Sequence, residues 1–128
     1  MDPPCSALGL RPKLKIAQMS LKELQQVSLY QRKFVHQAVA LLKPGSIMTY
    51  STCTFHADEN ERMVRYILDE YPSLELLPAV PQTIKVGKPG LAGMGLTDIE
   101  RSCVRRFDPD DHDNDTIGFF VAKFKKKK

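Results

Sequence analysis

In the middle of the chain stands the run IMTYSTC, residues 47–53, which begins with four uncharged residues that favour β-structure. A run of this kind is typical of a strand that is buried on both faces of a parallel sheet. Asp58 follows shortly after, with Glu61 three residues later, and apolar residues then recur at helical spacing as far as Pro72. We therefore expect a central strand that leads into a helix capped by Asp58.

A longer helix is predicted ahead of this strand, over residues 21–42. Ser20 and Glu23 have the spacing of a capping box, and residues 43–45, Lys-Pro-Gly, give a cationic last turn and a stop signal. Apolar residues at intervals of three and four predict a stripe that faces the core, formed by Leu24, Val27, Tyr30, Phe34, Ala38 and Leu41. Residues 1–14, which are rich in proline and glycine, are predicted to form a loop.

The second half of the chain is less regular. Residues 74–77 are predicted to form a short strand, and residues 78–95 a long surface loop that either contacts a substrate or merely connects two elements. The uncharged run 117–122 predicts a buried closing strand. Residues 123–128 form a basic tail, which is either a solvated, frayed end or a segment that attracts nucleic acid.

Strands that alternate with amphipathic helices predict an α/β sheet of the doubly wound type. Sheets of this type usually have more than the two clear strands predicted here, and two strands are too small a surface for two helices to pack on. The chain is therefore expected to be part of a larger domain. The length of 128 residues, with 42% hydrophobic residues and a net charge of +4, suits one globular domain. We expect no membrane contact, because no window resembles a signal peptide or a membrane span.

Cys53 is the strongest candidate for chemistry in the residue pattern. It follows a predicted strand, at the edge of the sheet where ligands gather, and a helix amino terminus nearby favours the reactive thiolate form. A small buried apolar residue is the other interpretation of this cysteine. Cys5 lies in a loop that Pro3 and Pro4 stiffen, and Cys103 has no motif around it.

Disulfide and metal sites are not expected. Three widely spaced cysteines are an odd number that suits free thiols in a reducing compartment. His56 lies three residues after Cys53, but a zinc site needs four ligands at recognisable spacing, and no Cys-x-x-Cys occurs. We therefore predict that the protein holds no metal.

Five strings occur in order along the chain: DPPCS (2–6), LKPG (42–45), YSTCT (50–54), ENE (59–61) and GFFVAK (118–123). Together they resemble the Nop/Sun (RsmB-like) RNA cytosine-5 methyltransferases over almost the whole chain, and look closest to the sixth member of the Sun-domain set. The resemblance implies the carboxy-terminal half of a Rossmann-like, S-adenosylmethionine-dependent methyltransferase sheet with flanking helices.

The same resemblance implies roles for three residues. Cys53 would attack carbon 6 of the cytosine as nucleophile, which prepares carbon 5 to receive the methyl group of S-adenosylmethionine. Cys5 would assist product release, and Asp2 would recognise the polar edge of the cytosine. Pro3 and Ala7 depart from the family's strings, which more commonly have alanine and glycine at these positions.

The resemblance also implies what residues 1–128 leave out. Family members bind the donor through residues upstream of the aspartate that matches Asp2, so we expect a partial catalytic domain that is inactive in isolation. The implied partner is RNA, with tRNA favoured over rRNA, and the expected location is cytoplasmic, with nuclear or nucleolar as the alternative.

Two other functions remain open from the sequence. The chain could be a truncated, non-catalytic protein that binds RNA or a partner through its loop and basic tail. Alternatively, residues 2–4 belong to the Asp-Pro-Pro-Tyr motif of amino-group methyltransferases, although Cys5 then replaces the stacking tyrosine.

Overall fold

The computed structural model describes residues 1–10, 19–81, 83–113 and 115–128. Within these ranges, helices and strands alternate along the chain as the sequence predicts, except that two strands follow each other at the end. The elements are α1 (Leu21–Leu41), β1 (Ile47–Thr52), α2 (Glu61–Glu70), β2 (Leu74–Leu77), α3 (Asp98–Cys103), β3 (Arg105–Phe107) and β4 (Phe119–Lys126). The predicted loop 1–14 is irregular as far as residue 10, and its remainder lies outside the described residues.

Strand β4 lies at the centre of the sheet. It pairs antiparallel with β1 along one edge, from Thr52 opposite Phe120 to Ile47 opposite Lys125. Along its other edge it pairs antiparallel first with β3 and then with β2. The fold of the described residues is therefore α/β, but its sheet is antiparallel around β4. Strand β4, the last along the chain, lies inside the sheet rather than at an edge.

Met1 extends the sheet on the free edge of β1. Its amino group donates to the Thr49 carbonyl, and its own carbonyl accepts from the Ser51 N–H at 3.1 Å. Bonding to residues on either side of Tyr50 is the pattern of parallel pairing. The segment that leads into Asp2 thus runs parallel to β1, as a doubly wound sheet requires.

The core lies on one face of the sheet. Alternate residues of β1 and β4 point into it and are fully buried, while α1 and α2 cover them; the cluster includes Val35, Val39, Met48, Tyr50, Met63, Val64, Ile67, Phe120, Ala122 and Phe124. The prediction that β1 is buried on both faces is wrong, since Ile47 is 55% exposed and Thr49 is exposed. Their side chains lie on the sheet face opposite the two helices.

The bounds of α1 and its capping box at Ser20 and Glu23 are confirmed, but its predicted apolar face is only partly correct: Ala38 packs against the core. The buried residues are Ser28, Gln31, Val35 and Val39, whereas Tyr30, Phe34 and Leu41 are exposed. Two of the four buried residues are polar. Gln31 is buried because its amide is hydrogen bonded to other buried groups, which an apolar periodicity does not detect.

Helix α2 begins later than predicted. Its N-cap is Asn60 rather than Asp58, and the Asn60 side chain makes no cap hydrogen bond. Asp58 instead forms an ion pair with Arg62, one helical turn further on. Helix α3 and strand β3 were not predicted, although Thr97 and Glu100 form a complete capping box at the start of α3.

The long loop before α3 is held at several points. Lys88 pairs with Arg106 in an isolated bridge, and the Arg101 guanidinium donates to the Gly90 carbonyl at 2.7 Å. The described part of residues 78–95 is therefore irregular, as predicted, but attached to the body of the protein. None of the helices in the described ranges is both long enough and apolar enough to cross a membrane.

The lysines at the end of the chain belong largely to β4. The frayed end expected over 123–128 is incorrect for Lys123–Lys126, which are paired with β1 or β2. The ammonium group of Lys126 donates to the carbonyls of Val39 and Leu42, both at 2.9 Å. These carbonyls end α1, so a distant lysine supplies the cation that its own last turn lacks.

Replacing Lys126 with methionine should therefore destabilise the protein. Two charge-assisted bonds at the negative end of a helix contribute about 1–2 kcal/mol to the free energy of unfolding. Urea denaturation of the chain would measure the loss. Lys125→Met is the matched control, because Lys125 lies 3.9 Å from Glu75 at the surface, and such exposed pairs contribute at most about 1 kcal/mol and often nothing measurable. Equal losses in the two variants would contradict the capping role.

Candidate functional site

The structure brings Cys5 and Cys53 into direct contact. Their sulfur atoms lie 3.1 Å apart, both residues are half-buried, and neither forms a disulfide. Cys5 follows the extended segment at Met1, and Cys53 follows β1. Because these segments run parallel and adjacent, the two thiols lie at the carboxyl ends of neighbouring strands, where α/β sheets collect their reacting groups.

The backbone of the Cys5 loop is also bound to the loop of Cys53. The Gly9 N–H donates to the Cys53 carbonyl at 3.0 Å, and the Gly118 N–H donates to the Gly9 carbonyl at 3.2 Å. A Cβ atom at Gly9 would lie 2.0 Å from the Gly118 carbonyl oxygen. Glycine at this position therefore permits the close approach of the Cys5 loop to the chain that enters β4.

Ala7 adopts a left-handed backbone conformation, with a φ of 54°. Non-glycine residues reach this region at a cost of roughly 1–2 kcal/mol. This is the position where the family's string more commonly has glycine, so the geometry accounts for that preference. The chain keeps the turn after Cys5 despite the alanine.

A buried carboxylate holds the residue next to Cys5. Glu59 has no exposed surface, and its two oxygens accept from the Ser6 N–H at 2.9 Å and the Ser6 hydroxyl at 2.6 Å. The Ser6 hydroxyl also lies 2.8 Å from the hydroxyl of Thr54, which follows Cys53. Ser6 thus connects the two loops through side chains.

Gln31 of α1 reaches the same carboxylate. Its amide nitrogen donates to Glu59 at 2.9 Å and to the Pro4 carbonyl at 3.0 Å. The hydroxyl of Tyr50 donates to the Glu59 carbonyl at 2.5 Å and lies 3.3 Å from the Gln31 side-chain oxygen. The buried polar groups beneath Cys5 therefore satisfy one another.

Asn60 binds the two residues that flank Cys53. Its side-chain oxygen accepts from the Thr52 hydroxyl at 2.6 Å, and its side-chain nitrogen donates to the Thr54 carbonyl at 2.9 Å. Both polar atoms are used, and the residue has no exposed surface.

Glu61 anchors the same turn to the far side of the molecule. Its carboxylate accepts two bonds from the Arg106 guanidinium, at 2.9 and 2.7 Å, and one from the Leu91 N–H at 3.0 Å. Arg106 also donates to the Phe55 carbonyl at 2.8 Å. A forked arginine–carboxylate pair of this kind fixes geometry as well as charge.

Burial changes the proton affinity of the groups around the thiols. It raises the pKa of Cys5 to about 11, with the hydrogen bond to Cys53 acting in the same direction. Cys5 therefore keeps its proton at neutral pH and can donate it towards the Cys53 sulfur. Burial also raises the pKa of Glu59, against the opposing effect of the bonds from Ser6, and it raises the pKa of Tyr50 well above its usual range.

The other predicted or considered residues lie apart from this pair. Asp2 is exposed and makes no hydrogen bond or ion pair with any described residue, although it is only three positions from Cys5. Cys103 ends α3 and is half-buried. In the part of the chain that the structure describes, no group of three or more His, Cys, Asp or Glu side chains could hold a metal ion.

Sequence reasoning missed the polar residues that support the two thiols. Glu59 and Glu61 look like part of a charged surface run, and Gln31 lies between the apolar positions of α1. The available signal was the string Glu59-Asn60-Glu61 itself, because it stands directly ahead of an apolar helix with acidic residues where a cap is expected. Arg106, 45 residues from its partner Glu61, has no local signal.

Comparison with known proteins shows what the chain is similar to. A family model described as 16S rRNA methyltransferase RsmB/F matches residues 1–125. Over 97% of its length, the chain is 45% identical to the rRNA (cytosine-C(5))-methyltransferase NOP2C of Arabidopsis thaliana. Over 98%, it is 39% identical to the tRNA (cytosine(72)-C(5))-methyltransferase NSUN6 of Mus musculus. The crystal structure of NSun6 from Pyrococcus horikoshii with SFG matches the whole chain with a TM-score of 0.78 and 37% identity.

These similar proteins are much longer than the chain. It covers 22% of the Arabidopsis protein, 30% of the mouse protein and 29% of the Pyrococcus chain. The comparisons confirm the predicted resemblance to the Nop/Sun proteins, including the sixth Sun-domain member, and they confirm the α/β class with helices beside the sheet.

The raised pKa of Glu59 predicts how stability depends on pH. Because the carboxyl group binds its proton more tightly in the folded than in the unfolded chain, its ionisation opposes folding. The free energy of unfolding should therefore fall as pH rises from the ordinary pKa of 4.5 to the raised value. Glu59→Gln removes this contribution. Urea denaturation of both proteins between about pH 4 and 8 should show the wild type losing stability relative to the variant; a constant difference would contradict it.

Proposed function

The chain belongs to the RsmB/F family of RNA methyltransferases, and from this premise we propose that it carries the two reacting thiols of an RNA cytosine-5 methylation. The observation that supports the proposal most directly is the 3.1 Å contact between Cys5 and Cys53 at the carboxyl ends of neighbouring strands. The pair is half-buried but not enclosed. A base that enters at this edge of the sheet would meet both sulfurs at once.

We assign the attack to Cys53. Its sulfur forms a bond to carbon 6 of the cytosine, and the electrons of the 5,6 double bond move to carbon 5, which becomes nucleophilic. The position after β1 and the bonds that fix Thr52 and Thr54 support this assignment, because they hold the sulfur in one direction.

We assign product release to Cys5 and base recognition to Asp2. Cys5 lies within contact distance of the Cys53 sulfur, which is the atom that must leave carbon 6 after the carbon 5 proton is lost. Asp2 is exposed three positions before Cys5, and its carboxylate could accept a hydrogen bond from the exocyclic amino group of cytosine. Pro3, which follows Asp2, is buried.

S-adenosylmethionine is the proposed methyl donor, and when bound it supplies the methyl group that carbon 5 receives. A similar structure holds SFG, an analogue of this donor. The family's donor-binding motif matches no string of residues 1–128, so the proposed part of these residues is confined to the base and the thiols. We propose that 1–128 is the thiol-bearing part of a catalytic domain and that donor binding requires residues outside it.

RNA is the proposed substrate, and tRNA is favoured over rRNA. The similar mouse protein is named for cytosine 72 of tRNA, whereas the Arabidopsis protein is named for rRNA. A Pyrococcus horikoshii protein that is 39% identical over the whole chain is also named for cytosine 72 of tRNA. We propose the cytoplasm as the compartment, since free cysteines suit a reducing environment.

A non-catalytic protein that binds RNA through a basic tail is less well supported. Lys126 is bound to two carbonyls at the end of α1, and the Lys127 ammonium donates to the Pro72 carbonyl at 2.8 Å. These lysines are part of the folded unit, so they do not form a free basic arm. The thiol contact would also have no purpose in such a protein.

A covalent adduct would test the role of Cys53. A chimera is made in which this chain replaces the matching segment of the Pyrococcus NSun6 protein. It is incubated with S-adenosylmethionine and tRNA that contains 5-fluorocytosine, and a parallel sample contains an rRNA fragment with the same base. Fluorine at carbon 5 blocks proton loss, so the enzyme should remain attached to the RNA. We expect the wild-type chimera to form a covalent adduct with tRNA that survives denaturing gel electrophoresis, and Cys53→Ser to form none.

Unmodified NSun6 is the control for the assay. An adduct that persists in Cys53→Ser would contradict the assigned nucleophile. Failure of a folded chimera to form any adduct, while NSun6 does form one, would overturn the proposed function.

Loss of Cys5 should have the opposite effect on adduct formation. With natural RNA, we expect Cys5→Ala to accumulate the adduct, because attack proceeds while release is slowed. Removing a general acid–base group typically costs about a hundredfold to ten-thousandfold in the step it assists. The fraction of protein attached to RNA, followed over time on denaturing gels, measures the effect. Cys103→Ala is the control, and normal turnover in Cys5→Ala would contradict the role in release.

A further inference from the structure

Cys5 is held through the residues on both sides of it. Pro4 is bound by its carbonyl to Gln31, and Ser6 is bound by its N–H and hydroxyl to Glu59. Gln31 and Glu59 are themselves bonded at 2.9 Å, and neither has any exposed surface. The position of the Cys5 sulfur therefore depends on one buried carboxylate and the amide beside it.

Cys53 is held in the same way by a single side chain. Thr52 and Thr54 flank it, and both are bound by Asn60. Asparagine at a helix N-cap usually spends its side-chain oxygen on the first turn of the helix. The Asn60 side chain makes no such cap hydrogen bond to α2, and both of its polar atoms bind the segment that carries Cys53.

We propose that Glu59 and Asn60 are positioning residues for the two thiols, Glu59 for Cys5 and Asn60 for Cys53. Because they are consecutive in the chain, their backbone sets the distance between the sulfurs. The assignment to reaction steps rests on the function proposed above: Asn60 serves the attack by Cys53, and Glu59 serves the release that Cys5 assists. Neither residue touches the reacting atoms.

The mechanical basis is the rigidity of the turn that carries both residues. Tyr50 holds the Glu59 carbonyl, and the Asn60 carbonyl accepts from the Val64 N–H of α2 at 3.0 Å. The turn has little freedom to shift, so the hydrogen bonds made by Glu59 and Asn60 hold the two thiols in fixed positions. A misplacement of reacting groups by about 1 Å can cost on the order of a hundredfold in rate.

The contact between the thiols can be measured in this chain without RNA. In a Cys103→Ser background, diamide takes two electrons and two protons from Cys5 and Cys53, which form a disulfide while the diazene becomes a hydrazine. Alkylation of the remaining thiols followed by mass spectrometry gives the rate. We expect Glu59→Ala and Asn60→Ala to slow disulfide formation by about tenfold or more, since each frees one sulfur.

Conservative variants separate positioning from simple loss of packing. Glu59→Gln keeps an oxygen that accepts from Ser6 and Gln31, so its rate should approach that of the wild type. Asn60→Asp loses the donor to Thr54 and should remain slow; if the alanine variants do not fold, these two variants decide. Glu61→Gln is the matched control, because Glu61 is equally buried but binds no residue that flanks a thiol. Wild-type rates in Asn60→Asp, or an equal slowing in Glu61→Gln, would overturn the proposal.

The RNA adduct assay tests the division between steps. In the chimera, Glu59→Ala should accumulate adduct with natural RNA, as Cys5→Ala does, whereas Asn60→Ala should form the 5-fluorocytosine adduct slowly. If the wild-type chimera forms adduct but both variants are impaired in the same step, this inference fails. If the thiol oxidation pattern is as expected but the wild-type chimera forms no adduct, the positioning of the thiols stands and the proposed function fails.

Discussion

Three consecutive polar side chains without exposed surface, Glu59, Asn60 and Glu61, hold together parts of the chain that are far apart in sequence. Glu59 binds the loop of Cys5 and helix α1, Asn60 binds both sides of Cys53, and Glu61 binds strand β3 and the long loop before α3. The turn between β1 and α2 thus joins elements that the sheet alone would leave separate. The contact between the thiols is one result of this arrangement.

The arrangement buries two carboxylates, one with an ion pair and one with hydrogen bonds alone. Glu61 is paired with Arg106, so its charge is compensated by an ion pair with two bonds. Glu59 accepts three hydrogen bonds but has no ion pair within the described residues, and burial accordingly raises its pKa. A charge that folding disfavours, directly beneath two thiols, is typical of a functional site rather than of a core built for stability.

The features that the sequence predicted correctly are those that depend on residues close to one another in the chain. The ends of α1 followed from the capping box at Ser20 and the stop signal at Pro44, and β1 and β2 followed from short apolar runs. The buried face of α1 and the place of β4 depended on partners far along the chain. Gln31 is buried because Glu59 is there to bind it, and Lys126 lies in a strand because Leu74 of β2 pairs with it. Cys53 was recognisable from its place after a strand, Cys5 chiefly from the family resemblance.

The contact between the sulfurs also suggests why the proposed reaction divides its two steps between two cysteines. At rest, burial and the hydrogen bond to Cys53 hold the pKa of Cys5 at about 11, so Cys5 stays protonated while the proposed attack falls to Cys53. Once Cys53 is bonded to carbon it is no longer a thiol, and its side-chain hydrogen bond no longer adds to the raised pKa of Cys5. Burial still favours the protonated form, but Cys5 is then freer to exchange its proton than before the attack. The order of the steps can thus arise from one 3.1 Å contact without a separate switch.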